Sequence, residues 1–216
     1  MPPSRSTSGV YGGRTAQDRQ EERRARLLEA GAAIWMAEGW AAVSMRAVCA
    51  RARLTDRYFY AEFANVQDLL GTLWDTANER ALAVVAPAFA GTAGQTPRDR
   101  LRGAIAAYIT HLATHPDDSR MLFGDSAGCE VLTERQHGLR LQGVALVAAF
   151  GEPFLAPGVG RDVFLVRTRM AIGGLVELLA AWQSGDVPGT IEEIVAHATT
   201  YCELLAASVV AADLAT

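Results

Sequence analysis

Apolar residues recur three and four positions apart along most of the chain, a spacing that places them on one face of an α-helix. The first such segment covers residues 18–38, and its apolar face carries Leu27, Leu28, Gly31, Ile34 and Trp35. No segment shows the alternation of apolar and polar positions that is typical of a half-buried strand. The pattern therefore predicts an all-α protein.

Two short helices are predicted after this first helix. Ser44 and Thr55 are good N-caps for helices over 45–51 and 56–62, because their hydroxyls can accept from backbone N–H groups of the first turn. Only residues 52–54 separate the two short helices. A longer amphipathic helix followed by two short ones and a tight turn is the arrangement of a helix-turn-helix.

Start and stop signals divide the remainder into further helices. Asn65 begins a helix that Pro87 ends, and Thr96 begins another that stops at Pro116. Thr190 opens the last helix, which we expect to reach about residue 212. The helix that begins after Asn65 covers about 66–85. Three further helices are predicted over about 118–124, 129–150 and 161–183.

These elements suggest three regions. Residues 1–17 are rich in Ser, Gly, Pro and Thr without an apolar period, so we expect a disordered arm. Its Arg5 and Arg14 could contact DNA or simply be solvated. A helix-turn-helix domain is predicted for 18–63 and a larger helical domain for 64–216.

The net charge of −4 is unevenly distributed. Residues 1–63 carry ten Arg against seven acidic residues, a net of +3, whereas residues 64–216 carry ten Arg against 17 acidic residues, a net of −7. A positive N-terminal region favours contact with phosphates, and the acidic remainder disfavours non-specific wrapping of DNA.

Cysteine usage and hydropathy indicate the compartment. Cys49, Cys129 and Cys202 are scattered and odd in number, so we expect neither a disulfide framework nor a thiolate metal site. No apolar run is long enough to span a membrane, and the N-terminus lacks the apolar stretch of a secretion signal. We therefore expect a cytoplasmic protein without a membrane partner.

The short helices have the side chains that a helix-turn-helix needs. Met45 and Val48 provide an apolar side and Cys49 a small residue at the helix crossing, while Phe59 and Phe63, with Leu54, close the core. The polar side of the second short helix faces outward, where it can enter the major groove. That side carries Thr55, Asp56, Arg57, Tyr58 and Tyr60.

Residues 39–70 resemble the DNA-binding signature of the TetR (tetracycline-repressor-like) family. The matching positions, in order, are Gly39-Trp40, Ser44, Arg46, Val48-Cys49 and Phe59-Tyr60-Ala61-Glu62-Phe63. The resemblance implies a dimeric transcriptional regulator that binds double-stranded operator DNA and an unknown small-molecule effector. No nucleophile–base pair, phosphate loop or metal cluster stands out in the sequence, so we expect no cofactor and no enzymatic activity.

Three positions depart from this signature. Arg53 stands where the turn usually has Gly, so a left-handed backbone there would cost roughly 1 kcal/mol. Glu62 replaces a His that often faces the DNA backbone, and Val66 replaces a basic residue at the start of the next helix. Both changes put phosphate contacts in doubt.

Eight side chains are the candidate DNA contacts. They are Ser44, Arg46, Arg53, Thr55, Asp56, Arg57, Tyr58 and Tyr60. Arg57 is the best candidate for reading a base, since Arg favours the guanine edge; the alternative is a plain surface charge. Asp56 would orient Arg57 or cap the helix. The resemblance assigns Tyr60 to a phosphate contact. Tyr58 either contacts DNA or is packed against the protein.

His111 and His115 lie four residues apart on one predicted helix, with Asp117 nearby. This spacing could hold a metal, although His115 also suits the negative end of the helix dipole and no third ligand is in register. We therefore predict no metal.

The resemblance places a ligand pocket among the helices of residues 66–183. The candidate lining residues are large or polar groups on apolar faces, and simple core packing is the alternative for each. They are Trp74, Asn78, Tyr108, His111, Met121, Phe123, Phe150 and Trp182. An aromatic lining favours an apolar or planar ligand of modest size.

The last two long helices are the candidate dimer interface. Gly173-Gly174 and the Ala-rich stretch near 206–212 would allow two helices from each subunit to form a four-helix bundle, or Gly173-Gly174 serves packing within one chain. The expected function is a repressor released from a palindromic operator by its ligand. The alternative is a helical protein- or lipid-binding module with a vestigial helix-turn-helix.

Overall fold

The computed structural model describes residues 15–210. Within that range the chain is helical, and its only β-type pairing is an isolated antiparallel bridge between Leu155 and Val210. The prediction of an all-α fold is confirmed. Most of the predicted arm, including Arg5 and Arg14, lies outside the described residues.

Ten α-helices follow one another along the described chain. They are α1 (Ala16–Glu38), α2 (Met45–Ala52), α3 (Asp56–Glu62), α4 (Val66–Ala83), α5 (Val85–Ala90), α6 (Pro97–Thr114), α7 (Pro116–Phe123), α8 (Glu130–Gly151), α9 (Arg161–Ser184) and α10 (Ile191–Ala206). Two short 3₁₀ turns, Trp40–Ala42 and Glu152–Phe154, lie between them.

Reciprocal caps fix the start of α1. The Thr15 hydroxyl accepts from the Asp18 backbone N–H at 3.1 Å, and the Asp18 carboxylate accepts from the Thr15 N–H at 2.7 Å. The helix therefore begins at Ala16, two residues before the predicted start, because Asp18 is the third helical residue and not the first. The same capping box begins α6 at Thr96 and α10 at Thr190.

Two helix boundaries differ from the prediction. Pro87 does not end the helical region; it is the third residue of the short helix α5, where a missing N–H costs nothing because the first turn has no partner for it. The last helix ends at Ala206, short of the predicted 212. Val209 is buried after it, and its carbonyl accepts from the Ala156 N–H at 2.9 Å.

The chain divides into two compact units, one ending at Leu73 and the other beginning at Trp74. The division falls inside α4, ten residues after the boundary that the sequence suggested. In the first unit α1 packs against α2 and α3. Gly31 allows the close approach of α1 to α4, since a Cβ there would lie 2.7 Å from Leu69 Cδ2.

The second unit is a bundle of longer helices. In it α6 packs against α5 and α10, and α9 packs against α8 and α10. Its largest fully buried side chains are Trp74, Ile109, Leu112, Leu122, Leu132, Leu179 and Ile194.

Candidate nucleic-acid interface and ligand cavity

A small aromatic core holds α2 and α3 together. Phe59 and Phe63 are fully buried, with ring centroids 5.7 Å apart, and Val48 and Cys49 of α2 are buried as predicted. Burial and the nearby Asp56 carboxylate raise the pKa of the Cys49 thiol, so this cysteine is a packing residue. The core leaves the opposite side of α3 free.

The turn between α2 and α3 contains a left-handed arginine. Arg53 has φ 52° and ψ 47°, and it is the one non-glycine residue with positive φ in the described chain. Its N–H donates to the Ala50 carbonyl at 3.3 Å, and the Leu54 N–H donates to the Cys49 carbonyl at 3.0 Å. The turn therefore keeps its geometry without glycine, at a cost of roughly 1 kcal/mol.

All eight candidate DNA contacts are exposed. Ser44 accepts from the Ala47 N–H at 3.2 Å, which leaves its hydroxyl proton available to a phosphate. Thr55 occupies the N-cap of α3, but its hydroxyl makes no capping hydrogen bond. The Thr55 carbonyl instead accepts from the Tyr58 N–H at 2.9 Å, so the hydroxyl is free to contact DNA.

The two tyrosines of α3 differ in their surroundings. Tyr60 is 60% exposed and touches the core only through an edge contact with Phe59, with centroids 5.6 Å apart. Tyr58 is 40% exposed, and the guanidinium of Arg23 lies 4.9 Å from its ring centroid. Packing by Arg23 occupies part of Tyr58, which weakens its assignment as a base-reading residue.

Sequence reasoning missed the role of three arginines on α1. Arg24 lies over the Phe63 ring at 4.5 Å and donates to the Glu62 carbonyl at 3.1 Å, while Arg26 donates to the Ala52 carbonyl. Arg26 and Arg24 attach α1 to the C-terminal ends of α2 and α3, and Arg23 attaches it to Tyr58 in the first half of α3. The signal in the sequence is the position of Arg24, three and four residues before Leu27 and Leu28, which puts it on the apolar face of α1.

A cavity of about 150 Å³ lies among the helices of the second unit. Residues of α4, α5, α6, α8, α9 and α10 line it, among them Leu101, Ile105, Leu139, Phe164, Leu175 and Leu179. Of the eight predicted pocket residues, Tyr108 lines this cavity, and Phe123 lines a smaller one of about 40 Å³. Trp182 was the candidate on α9, but the residues of α9 that line the cavity, such as Phe164 and Leu175, were missed because that helix is apolar on more than one face.

Four predicted pocket residues are buried without lining the large cavity: Trp74, Asn78, His111 and Met121. Asn78 Nδ2 donates to Gln142 Oε1 at 3.1 Å. The Trp74 indole N–H and the Asn78 carbonyl oxygen have no hydrogen-bond partner within the described chain. Their positions four residues apart on α4 put a buried donor and a buried acceptor on one face.

Two aromatic candidates also have other neighbours. Phe150 lies between Phe89 and Phe154, with ring centroids 4.7 and 5.7 Å away, and Phe89 itself lines the large cavity. Trp182 donates its indole N–H to the Gly189 carbonyl at 3.0 Å, closing the turn after α9. Their sequence positions alone could not separate such roles from ligand contact.

His111 belongs to a buried polar cluster. Its Nε2 lies 3.0 Å from Asp118 Oδ2, and Arg80 of α4 donates to both carboxylate oxygens of Asp118. Burial opposes ionisation of Asp118, but the hydrogen bonds from Arg80 and His111 outweigh it and lower the pKa of this carboxyl. The His115 ring stacks on His111 at 4.2 Å, and no group of three potential ligands for a metal exists among residues 15–210.

Helices α8, α9 and α10 expose large apolar side chains to solvent. These are Leu141, Leu146, Val163, Val166, Met170, Tyr201 and Leu204. The paired glycines of α9 have different surroundings: a Cβ at Gly174 would lie 2.8 Å from the Tyr201 ring, whereas a Cβ at Gly173 would meet nothing within 4 Å. Gly174 thus serves packing within the chain, and Gly173 is open.

The N-terminal geometry, with a closed core, a tight turn and an outward polar helix, is that of a helix-turn-helix DNA-binding domain. Residues 27–73 match the family model of the tetR family of bacterial regulatory proteins. This segment, from within α1 to within α4, is therefore similar to the tetR family of bacterial regulatory proteins. No curated protein sequence matches it significantly.

Solved structures share the fold over most of the chain. A TetR-like transcriptional regulator from Rhodococcus sp. RHA1 is 18% identical, with a TM-score of 0.63 over 83% of this chain and 93% of that one. A TetR family transcription regulator from Marinobacter aquaeolei VT8 is 17% identical, with a TM-score of 0.56 over 90% and 98%. The fatty acid degradation regulator FadR from Bacillus halodurans is 14% identical, with a TM-score of 0.66 over 85% and 94%.

In the part of the chain that the structure describes, no helix combines the length and apolar character needed to cross a bilayer.

Proposed function

We propose that the protein is a homodimeric repressor that binds a palindromic operator and is released from it by a small molecule. The observation that carries the ligand-responsive part is the cavity of about 150 Å³ in the second unit, since close-packed interiors rarely leave such a space. The exposed polar face of α3 supports the operator-binding part.

Each exposed side chain has an assigned role in this proposal. Arg57 reads a guanine edge, because its guanidinium can donate two parallel hydrogen bonds to O6 and N7. Ser44, Arg46, Arg53 and Tyr60 contact phosphates, which position the domain without reading sequence. Thr55 and Tyr58 form the rest of the DNA-contacting face of α3, and Asp56 orients Arg57.

The exposed apolar side chains of α9 and α10 support the homodimer. Val166, Met170 and Leu204 are each more than half exposed, and apolar groups this close together favour burial against a second subunit. A twofold dimer would present two copies of α3 to half-sites about one helical turn, roughly 34 Å, apart.

Polar links on α4 support a route from the ligand to the DNA-binding domain. Beyond Trp74, α4 is tied to α8 by Asp75, which accepts from Arg135 at 2.7 and 3.0 Å, and to α7 by Arg80 on Asp118. A ligand that changes the packing among helices α6, α7, α8, α9 and α10 would act on α4 through these links. Release follows only if the ligand prefers the form with lower DNA affinity.

We further infer that the unit ending at Leu73 is the DNA-binding domain and that the unit beginning at Trp74 is the ligand-binding and dimerisation domain. Cys49, Cys129 and Cys202 form no disulfide in the described chain, which supports a reducing cytoplasmic location.

Selection from random duplex DNA tests this proposal. Wild-type protein should enrich one palindromic site, and Arg57→Ala should lose or relax the preference at the base pair that Arg57 reads, by about 1–3 kcal/mol. Arg140→Ala is the matched control, since Arg140 is an exposed arginine of the second unit, and it should leave the selected site unchanged.

Two results of this selection would contradict the proposal. If wild-type protein enriches no site even at low salt, the repressor proposal fails. A helical module that binds protein or lipid, with a vestigial helix-turn-helix, then becomes the better interpretation. Enrichment of a site without twofold symmetry would contradict the dimer.

A further inference from the structure

The large cavity is built almost wholly from hydrocarbon. Among its lining residues in the described chain, only Tyr108, Arg167, Thr168 and Cys202 carry a polar side-chain atom, and none is acidic. Its volume of about 150 Å³ equals that of an apolar protein cavity, roughly 150 Å³, that accepts benzene. Size and lining therefore fit one six-membered ring with small substituents.

The charge on the cavity wall is limited to one guanidinium group. Arg167 is the one charged lining residue, and its Nη1 donates to the Ser208 carbonyl at 2.7 Å, beyond the end of α10. Burial raises the pKa of the Tyr108 phenol and, with the Glu203 charge, raises the pKa of the Cys202 thiol to about 11. Both groups are neutral at pH 7, so an anionic ligand would lose its hydration with little in return.

Thr168 supplies a hydrogen-bonding group on the wall. It is only 4% exposed, and its hydroxyl makes no hydrogen bond with any other residue in the described range. A buried hydroxyl left without a partner is unfavourable, and it can either donate or accept. One hydroxyl or carbonyl group on a ligand would satisfy it.

Resting on the proposed function, we propose that this cavity binds a neutral, mainly hydrocarbon effector of about one-ring size, whose single hydroxyl or carbonyl group hydrogen-bonds to Thr168. Carboxylates and other anions are excluded from this class. The apolar wall provides the affinity, and Thr168 distinguishes ligands that carry the polar group.

Three probes of matched shape test the ligand class: p-xylene, p-cresol and p-toluate. Each is a methylated ring, and they differ in carrying a second methyl, a hydroxyl or a carboxylate. Ligand-observed NMR with the full-length wild-type protein at pH 7 should show binding of p-xylene and p-cresol. Binding of p-toluate should be weaker by at least about ten-fold, because a wall built almost wholly from hydrocarbon cannot replace the hydration of its carboxylate and the guanidinium of Arg167 is bonded to the Ser208 carbonyl.

Three variants locate the site. Thr168→Val should weaken the binding of p-cresol by about three- to ten-fold and leave the affinity for p-xylene unchanged. Thr199→Val is the matched control, because Thr199 is 5% exposed, has an unpartnered hydroxyl and does not line the cavity; it should change neither. Ala171→Leu fills the cavity and should abolish the binding of both neutral probes. A cooperative thermal unfolding transition checks that this variant is folded.

Three results would overturn the inference. They are p-toluate binding as tightly as p-cresol, no binding of either neutral probe to wild type, and unchanged p-cresol affinity in Thr168→Val. These failures are separable from failure of the proposed function, which is judged by selection of operator DNA without ligand. A protein that selects a palindrome and prefers p-toluate remains a regulator with a different effector class.

Discussion

Phe59 and Phe63 fill the interior of the unit that ends at Leu73, whereas the helices of the unit that begins at Trp74 leave a cavity of about 150 Å³. The proposed DNA contacts of the first unit lie on its exposed surface, on the short helices α2 and α3 and the turn between them. The proposed ligand contacts of the second unit lie inside, on the walls of a space between longer helices. A surface for a rigid duplex can be built on a closed core, but a site for a small molecule requires incomplete packing.

The largest effect is expected from truncating the core of the first unit. Phe59→Ala should lower the free energy of unfolding by about 3–5 kcal/mol, since the loss of a fully buried phenyl ring leaves a cavity beside Phe63. Urea denaturation followed by circular dichroism measures this change. Tyr60→Ala is the control: because Tyr60 is largely exposed, the variant should lose less than about 1 kcal/mol.

A loss below about 1 kcal/mol in Phe59→Ala would mean that this core is not closed around the ring. The contrast between the two units would then lose its basis.

An intermediate effect is expected at the polar cluster of the second unit. Asp118→Asn should lower the free energy of unfolding by about 2 kcal/mol, a value reduced from that of a fully buried pair because Arg80 is half exposed. Asp75→Asn removes a carboxylate that also pairs with an arginine, Arg135, but is exposed, so it should have a smaller effect; this variant is the control.

The same cluster predicts a pH dependence. The folded-state pKa of Asp118 is lowered, so its stabilisation is present above the unfolded value of about 3.9 and is lost as the pH falls through the folded value. Wild type should therefore lose stability more steeply than Asp118→Asn below about pH 4. Equal slopes for the two proteins would contradict the assignment of this carboxylate as ionised.

The smallest effect is expected at the turn. Arg53→Gly should raise the free energy of unfolding by about 0.5–1 kcal/mol, because glycine adopts the left-handed conformation without strain. If Arg53 contacts one phosphate, the variant should also reduce the slope of log affinity against log salt by about 0.9. Arg53→Asn removes the same charge with less relief of strain. Unchanged salt dependence in both variants would assign Arg53 to the turn alone.

Much of the first unit could be predicted from local signals. Ser44 and Thr55 marked the starts of α2 and α3, and the apolar spacing identified Val48, Phe59 and Phe63 as core. These signals act within three or four residues, so they are readable along the chain. The contacts of Arg23 with Tyr58 and of Arg24 with Phe63 join residues 35 to 39 positions apart, and no local pattern contains them.

The second unit was predicted in its helices but not in its site. Of the predicted pocket residues, Tyr108 lies on the wall of the large cavity, while His111 is paired with Asp118 and Trp182 closes a turn. An apolar or polar residue on a helix face has the same sequence signature whether it fills a core or lines a space.

The amino-acid sequence by itself determined the helical class, most helix ends, the helix-turn-helix and the outward face of α3. Caps, turn residues and apolar periodicity are short-range properties, and each is written in a few neighbouring residues. Tertiary structure alone decided that Thr168 lies on a cavity wall, that Asp118 is buried between Arg80 and His111, and that Gly174, unlike Gly173, accommodates Tyr201. Those outcomes depend on which side chains of several helices meet, and packing between distant segments sets them.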